Sequence, residues 1–246
     1  MSRRRRRCAP PADAVADVAL AFAALDAEAD LLRQCWDLLD EGERARAGRF
    51  RFARDRRRFV VRRATLRGLL AAHIGGRPAA LRFEENGFGK PRLPGGPHFS
   101  ASHSGDRMML AIADAEVGAD LEGVDPDLAW RPLADGLFAA TERAALAALP
   151  EAAAHTAFFH CWARKEAFVK ALGLGLSYPL DAFAVSVSGE AALRAGGEGW
   201  AIAAANAPVG YAAAVVARDD GRPLVIRSSD STSLSASRAT AMASAA

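Results

Sequence analysis

The stretch CWARKEAFVKALGLG, residues 161–175, indicates how the second half of this 246-residue chain is built. Its Ala, Leu, Lys, Glu and Phe content favours a helix that ends at Gly173. At about 100° per residue, Glu166 and Lys170 lie on the same apolar arc as Trp162. Because an unpaired charge is costly to bury, both side chains need partners. Those partners are either each other, across one helical turn, or groups on another element.

Long helices and short strands recur in the same order in both halves of the chain. One long helix ends near Gly75, the other is the stretch quoted above, and strand-like segments follow each of them. This order predicts an α+β fold with two similar subdomains, which we place at residues 16–115 and 116–227. The arginine cluster within residues 1–15 and the serine-rich residues 228–246 predict a disordered N-terminus and a disordered tail.

The composition is that of a folded domain that neither enters a membrane nor is secreted. The chain is 51% hydrophobic, yet no apolar run approaches the roughly 20 residues of a membrane span. The first residues lack the apolar core of a secretory signal. The cysteines are three in number, scattered and without metal spacing, so we expect a soluble protein in the reducing cytoplasm.

Positive charge is concentrated in one internal segment. The net charge is only +3, but Asp55 is the only acidic residue between Arg44 and Arg67. A helix there would present a positive surface to a phosphate-rich ligand or to an acidic partner. A nucleic-acid-binding module is an alternative, although the segment lacks the interleaved aromatic residues typical of one. The arginines of this segment are Arg44, Arg46, Arg49, Arg51, Arg54, Arg56, Arg57, Arg58, Arg62, Arg63 and Arg67.

The segment GADLEGV, residues 118–124, places two carboxylates on one face of a strand. Asp120 and Glu122 are two residues apart, which is about 7 Å along a strand, so one divalent ion could bind both. The alternative interpretation is a solvated polar strand edge. Glu166 favours the metal, because a third carboxylate at the same place would complete an oxygen-rich Mg²⁺ site. Lys165 and Lys170 would then neutralise bound phosphates.

A third segment, GFGKPRLPGGPHFSASHSG at residues 87–105, is rich in phosphate-binding groups. Lys90 lies on a constrained loop, and Ser102 and His103 supply a hydroxyl and an imidazole at a turn. Adjacent Ser and His do not form a catalytic triad, and no G-x-S-x-G elbow is present, so a serine hydrolase is not supported. Neither a P-loop nor a G-x-G-x-x-G turn occurs.

Taken together, these segments resemble the 4′-phosphopantetheinyl transferases of the surfactin-synthetase type. The resemblance is carried by F-G-K-P, S-H-S-G, D-L-E and W-x-x-K-E-A-x-x-K-x-x-G-x-G, in this order. It extends at motif level from about Arg44 to Tyr178. It implies an intramolecular pseudo-dimer of two α+β halves with the active site between them.

The resemblance also implies the activity and the roles of the site residues. Enzymes of this family transfer the phosphopantetheine arm of coenzyme A to a serine of an acyl or peptidyl carrier protein, and they release adenosine 3′,5′-bisphosphate. The implied ligands of Mg²⁺, or of Mn²⁺ in its place, are Asp120, Glu122 and Glu166. The implied catalytic residues are Glu166 as base, with Asp120 as the alternative, and Lys170. The implied coenzyme A contacts are Arg46, Arg58, Lys90, Ser102, His103, Lys165 and Lys170.

Two further expectations complete the sequence-based hypothesis. We expect a monomer that acts on carrier proteins and binds neither a membrane nor nucleic acid. The alternative activity is a metal-dependent phosphohydrolase that would use the same three carboxylates on a nucleotide or on the pyrophosphate of coenzyme A.

Overall fold

The computed structural model describes residues 16–219, 221 and 223–228, and these residues form an α+β fold. The helices are α1 (Ala29–Asp37), α2 (Glu41–Gly48), α3 (Ala53–Ile74), α4 (Trp130–Leu137), α5 (Ala140–Ala147) and α6 (Glu151–Leu172). The strands are β1 (Ala16–Ala24), β2 (Glu84–Glu85), β3 (Pro91–Arg92), β4 (His98–Ser104), β5 (Arg107–Ala113), β6 (Val117–Gly123), β7 (Ala184–Val185), β8 (Leu193–Ala195), β9 (Trp200–Ala204), β10 (Tyr211–Arg218) and β11 (Leu224–Ser228). None of the helices in the described ranges is long and apolar enough to cross a membrane.

The two halves repeat one topology. In the first half, β1 is followed by the 22-residue helix α3 and by the hairpin β4–β5, whose second strand pairs antiparallel with β1. In the second half, β6 is followed by the 22-residue helix α6, and β10 pairs antiparallel with both β9 and β6. The resulting sheets have the orders β11-β1-β5-β4 and β6-β10-β9. This repetition is the pseudo-dimeric arrangement expected from the sequence.

The two sheets pack face to face, and the alternation of side chains along β6 decides what lies on each side. Val117, Ala119 and Leu121 are fully buried against apolar residues of β1 and β5. The intervening residues Asp120 and Glu122 therefore project from the opposite face of β6, towards α6. Leu121 thus points away from the two carboxylates.

Helix α6 lies almost in contact with the backbone of β6, because Gly118 has no side chain. A Cβ atom at Gly118 would lie 2.0 Å from the carbonyl oxygen of Ala167 and 2.3 Å from the amide nitrogen of Ala171. Both of these residues belong to α6. The missing side chain therefore brings one face of the helix directly onto the strand that carries Asp120 and Glu122.

Helix α6 is buried on most of its circumference, not only along the apolar arc predicted from the sequence. Trp162 packs beside Phe138 on one side, and Phe168 packs against Phe183 on another. The helix ends where predicted, at Gly173, whose φ of 71° is a left-handed conformation that favours glycine. The arc predicted to face inward, which contains Trp162, Glu166 and Lys170, is only partly buried, whereas the residues between them are buried. Its Lys170 is turned towards β6 and β4.

Strand β11 departs from the predicted chain organisation. It was expected partly within the second subdomain and partly, at Ser228, within a disordered tail. Instead it pairs parallel with β1 and extends the first sheet. The predicted disordered segments 1–15 and 229–246 lie outside the described residues. The division between residues 115 and 116 stays a prediction.

Candidate active site

The candidate site lies where β4, β6 and α6 meet. Strand β4 comes from the first half, whereas β6 and α6 belong to the second. Alternate serines of β4 face β6, and each makes a hydrogen bond to it. Ser100 Oγ accepts the amide N–H of Ala119 at 3.0 Å, and Ser104 Oγ accepts that of Gly123 at 3.0 Å. These serines hold the two halves in register beside the carboxylates.

Asp120 is the centre of this site and is only 1% exposed. Ser102 Oγ donates to Asp120 Oδ1 at 2.7 Å, and Lys170 Nζ donates to the same oxygen at 2.5 Å. Lys170 Nζ also donates to Ser102 Oγ at 2.8 Å. The other carboxylate oxygen of Asp120, Oδ2, is buried and has no hydrogen-bond partner among residues 16–219, 221 and 223–228. One oxygen of this carboxylate therefore has its hydrogen-bonding capacity unused.

These contacts decide between the two partners considered for Lys170. The ammonium group forms its ion pair with Asp120 on β6 and not with Glu166, one turn away on its own helix. The charge of Lys170 thus connects α6 to the strand and, through Ser102, to the other half of the molecule. Glu166 lies beside this pair without an ion-pair partner among the described residues.

The three carboxylates lie close enough together to influence one another's ionisation. Burial, with smaller contributions from Asp120 and Glu166, raises the pKa of Glu122 to about 7. Burial and then Asp120 also raise the pKa of Glu166. Ser104 Oγ donates to Glu122 at 3.2 Å and partly offsets this effect. The site therefore holds more negative charge than the single Lys170 compensates.

The donor chemistry fits a hard divalent cation, although the ligand set is not preassembled. No three His, Cys, Asp or Glu side chains of the described residues form a metal-binding group as they stand. Carboxylates whose charge is not fully compensated would nevertheless show an unpartnered oxygen and raised pKa values. Asp120 has such an oxygen, and the pKa values of Glu122 and Glu166 are raised. Carboxylate oxygens are also the ligands that Mg²⁺ prefers. The metal assignment stays a prediction that these residues fit.

Lys90 reaches the same region from the β2–β3 loop. Its ammonium group donates to the carbonyl oxygens of Val117 at 2.9 Å and Ala171 at 3.4 Å, so it connects the loop to β6 and α6. Burial lowers the pKa of Lys90 to about 8. A cavity of about 210 Å³ lies next to it and is also lined by Lys170 and Phe88.

His103 is next to Ser102 and contacts an arginine that the sequence hypothesis did not select. One terminal guanidinium nitrogen of Arg62, on α3, lies 2.8 Å from Nδ1 and 2.5 Å from Nε2 of His103, and it donates to the ring nitrogen that carries no proton. Burial, followed by the charges of Arg62 and Lys170, lowers the pKa of His103 to about 4, so the imidazole is neutral. Burial, followed by neighbouring arginines, lowers the pKa of Arg62 to about 10. Arg62 has no carboxylate partner among the described residues, which suits an anion-binding role. Its spacing of i+4 from Arg58 places it on the face of Arg58, but Arg54 shares that spacing, so the sequence alone did not single out Arg62.

The two arginines selected from the sequence lie near this one. Arg58 forms a bidentate ion pair with Asp26 and donates to the carbonyl oxygen of Gly105 at 2.9 Å. The exposed Arg46 lies over the ring of Phe59 at 5.7 Å, and Arg62 lies 5.5 Å from the same ring. A cavity of about 360 Å³ opens beside them, lined in part by Arg58, Arg62 and His103.

Sequence comparisons identify the family of the chain. The profile of the 4′-phosphopantetheinyl transferase superfamily matches residues 116–216, the segment that contains all three carboxylates and Lys170. The 4′-phosphopantetheinyl transferase HetI of Nostoc sp. is 34% identical over 159 residues, which cover 62% of this chain and 67% of HetI. The chain belongs to the 4′-phosphopantetheinyl transferase superfamily.

Two further relatives resemble the surfactin-synthetase type that the motifs indicated. The transferase psf-1 of Bacillus pumilus is 40% identical over 157 residues, or 62% of this chain and 66% of psf-1. The transferase Sfp of Bacillus subtilis is 32% identical over 145 residues, or 58% of this chain and 64% of Sfp. The matched part of the chain thus spans about two thirds of these relatives. The phosphohydrolase alternative receives no support from them.

Within this transferase fold, Lys165 does not lie at the site, and its predicted phosphate contact has to be corrected. Its ammonium group is completely buried and donates to Glu142 Oε1 at 2.7 Å and to the carbonyl oxygen of Phe183 at 2.9 Å. Glu142 also accepts the backbone amides of Ala139 and Val185. At 100° per residue, adjacent residues of a helix point in different directions, so Lys165 faces α5 and β7 while Glu166 faces the seam.

Tyr211 is a second residue that sequence reasoning missed. From β10 it donates its hydroxyl to Asp106 Oδ1 at 2.8 Å, across the seam between the halves. Asp106 lies in the β4–β5 turn, directly after Gly105, whose carbonyl oxygen is held by Arg58. The turn that follows Ser104 is therefore fixed from both halves of the transferase fold. A lone tyrosine in a strand-like segment gives no sequence signal of this contact.

Proposed function

We propose that this protein transfers the phosphopantetheine arm of coenzyme A to a serine of acyl or peptidyl carrier proteins. The observation that carries this proposal is the cluster of Asp120, Glu122 and Glu166 at the seam, whose negative charge Lys170 compensates only in part. A phosphate-compatible set, Lys170, His103 and Arg62, lies on its other side. Family membership supplies the reaction type. Acidic and basic side chains that lie next to each other at one seam suit a ligand that brings both phosphates and a cation.

The proposed cation is Mg²⁺, or Mn²⁺ in its place, and Asp120, Glu122 and Glu166 would hold it. Once bound, it would neutralise charge on the pyrophosphate of coenzyme A. The unpartnered Oδ2 atom of Asp120 supports this assignment, because a buried carboxylate oxygen without a partner is otherwise costly.

The residues of the chain itself would bind and orient the phosphates. Lys170 is half-buried and already held by Ser102 and Asp120, so its charge is positioned before the substrate arrives. Neutral His103 and charged Arg62 would donate hydrogen bonds to phosphate oxygens. We place the 3′-phosphate near Arg46 and Arg58, and Lys90 would mainly hold the loop above the site.

The transfer itself requires a base for the carrier serine. The serine oxygen forms a bond to the phosphorus of the phosphopantetheine group, and the bond from that phosphorus to the bridging oxygen breaks. Adenosine 3′,5′-bisphosphate leaves with the electron pair. We assign the serine proton to Glu166, which lies beside the Lys170–Asp120 pair without an ion pair of its own, and keep Asp120 as the alternative.

The remaining parts of the proposal concern the partner and the state of the protein. The cavity beside Lys170, Phe88 and Lys90 would receive the pantetheine arm next to the docked carrier. We propose that the protein acts as a monomer in the cytoplasm, with carrier proteins as its only macromolecular substrates.

The test is a loading reaction followed by intact-mass measurement of the carrier. The protein is incubated with coenzyme A, Mg²⁺ and a panel of apo carrier domains from fatty-acid, polyketide and peptide synthases. We expect at least one carrier to gain the mass of one phosphopantetheine group. A carrier whose modified serine is replaced by alanine is the matched control and should gain none.

Two outcomes would overturn the proposal. In the first, no carrier gains mass while coenzyme A is hydrolysed, which would indicate a phosphohydrolase. In the second, the carriers remain unmodified and coenzyme A is intact, although the protein is folded and Mg²⁺ or Mn²⁺ is present. Loading that persists unchanged in excess chelator would refute the metal assignment alone.

A further inference from the structure

An apolar groove lies between α1 and α3, apart from the candidate site. Its volume is about 440 Å³, and its surface is almost entirely apolar. Val60, only 2% exposed, is part of the lining, together with Leu32 and Trp36 from α1. Trp36 keeps 38% of its surface exposed, and the guanidinium group of Arg44 lies 6.0 Å from the centre of its ring.

The groove and the candidate site lie on nearly opposite faces of α3. Ala53, Arg56, Arg57 and Val60 line the groove with the spacing i, i+3, i+4 and i+7. Arg54, Arg58 and Arg62 line the cavity beside His103. At about 100° per residue, the mean directions of the two sets differ by roughly 150°. A molecule in the groove would therefore leave the candidate site open.

Arginines surround the groove, and two of them are uncompensated. Arg56 and Arg57 are exposed, and within the described ranges their side chains form no ion pair or hydrogen bond. Arg33, on the α1 side of the groove, pairs with Asp30 on its own helix. The apolar channel thus has two unpaired guanidinium groups on its α3 side and the Arg33–Asp30 pair on its α1 side. This arrangement matches a ligand with apolar residues along its centre and negative charges along its edges.

The parts of the chain outside the described residues do not have this chemistry. Residues 1–15 contain five consecutive arginines, which have the same sign as the groove's edges. Residues 229–246 contain one aspartate and one arginine, and therefore no net negative charge. The occupant that fits is consequently a separate molecule.

We propose that this α1–α3 groove docks an acidic amphipathic helix of a partner protein. Its apolar residues, spaced i, i+3, i+4 and i+7, would lie along Leu32, Trp36 and Val60. Its Glu or Asp side chains would pair with Arg33, Arg56 and Arg57. Helix α1 has nine residues and is about 13 Å long, which matches two to three turns of a third helix packed beside α1 and α3. This inference is independent of the proposed function.

The test measures binding of a synthetic peptide to the full-length chain. The probe is a fluorescein-labelled helical peptide of about 16 residues, with leucines at i, i+3, i+4 and i+7 and glutamates on both flanks. Fluorescence anisotropy near physiological salt gives its Kd, because distant charges are then largely screened. Two comparison peptides replace the leucines by serine or the glutamates by glutamine.

Charge-reversal variants locate the binding. We expect Arg56→Glu combined with Arg57→Glu to raise the Kd at least about 10-fold. The matched control, Arg49→Glu combined with Arg51→Glu, reverses two exposed arginines outside the groove and should change the Kd by less than about 3-fold. Both comparison peptides should bind at least about 10-fold more weakly than the probe. Thermal unfolding establishes that the variants are folded.

Several results would overturn the inference. In one, the probe fails to bind the chain. In another, both double variants raise the Kd of the probe equally, which would indicate general charge attraction only. The leucine-to-serine peptide or a DNA duplex binds as well as the probe, which would indicate a basic surface without an apolar requirement. The wild-type chain dimerises and the Arg56/Arg57 variant does not, which would make a second copy the occupant. Carrier loading is measured in parallel: its absence in all proteins would refute the proposed function and leave peptide binding as a separate result.

Discussion

Helix α6 carries two lysines, five residues apart, whose surroundings differ in one decisive way. Lys165 and Glu142 form a completely buried pair in which charges balance, and backbone groups satisfy the remaining hydrogen bonds. Lys170 instead faces three carboxylates, and one oxygen of Asp120 has no hydrogen-bond partner in the part of the chain that the structure describes. A balanced buried pair stabilises one arrangement of the chain. An unbalanced cluster at a seam is a place where a ligand can supply the missing charge.

Lys165→Met tests the balanced side of this comparison and should have the largest effect. Removing one partner leaves Glu142 charged and buried, which costs about 3–5 kcal/mol of unfolding free energy. Urea denaturation measures this loss. The matched control, Lys165→Met with Glu142→Leu, removes both charges and should recover most of the stability. If Lys165→Met unfolds like the wild type but loses coenzyme A binding, Lys165 belongs to the site after all.

Glu166→Gln tests the cluster beside Lys170, in which negative charge exceeds positive charge. It is nearly isosteric and removes a charge that has no ion pair within the described ranges, so folding should be retained. Carrier loading should fall at least about 10²-fold, or about 2.7 kcal/mol in transition-state terms, because a ligand or base is lost. Glu151→Gln is the control on the same helix, since Glu151 is exposed and forms its ion pair with Arg131 on α4. Loading within about 2-fold of wild type would remove Glu166 from the mechanism.

Gly118→Ala tests whether the close contact between α6 and β6 is needed to hold Lys170 beside Asp120, and is not needed for the Lys165–Glu142 pair. The added methyl group would meet the backbone of Ala167 and Ala171, so the helix must shift, at a cost of about 1–3 kcal/mol. We expect the shift to separate Lys170 from Asp120 and to reduce loading more than stability. Gly136→Ala, where a Cβ has no neighbour within 4 Å, is the matched control. Equal losses of loading in both variants would contradict this view.

Tyr211→Phe should have the smallest effect. It tests whether the hydrogen bond from the second half to the β4–β5 turn helps to position the site. Only the hydroxyl is lost, which costs about 1 kcal/mol for one hydrogen bond to Asp106. If the β4–β5 turn orients Ser104 and Glu122, the concentration of Mg²⁺ needed for half-maximal loading should rise about 3–5-fold, with kcat at saturating metal nearly unchanged. An unchanged metal requirement would mean that Tyr211 is only a packing residue.

The fold could be predicted from the sequence to the extent that it depends on periodicity. The long helices, the glycine that ends α6 and the repeated order of elements follow from local patterns. The alternation in GADLEGV correctly placed Asp120 and Glu122 on one face of a strand, because that periodicity is a property of the backbone. The group with which each charged side chain pairs depends on tertiary packing and does not follow from that periodicity.

The misplaced residues show where sequence reasoning stops. Lys165 and Glu166 are adjacent in the sequence, and only the packing of α5 and β7 shows that they face different surroundings. Arg62 was not separated from ten other arginines because a helix wheel requires the position of the neighbouring sheet. The contact of Tyr211 with Asp106 joins residues 105 positions apart, a separation over which no local pattern extends.

Strand β11 has a consequence for how the protein can be cut or fused. It covers the outer edge of β1, so the first sheet is completed by residues that come last in the described chain. A fragment that stops at residue 216, where the family profile ends, would retain every carboxylate of the site yet leave β1 as an open edge. Such an edge is a template for pairing with other molecules. We therefore expect a shortened protein that ends at residue 216 to aggregate, although the family profile ends at that residue.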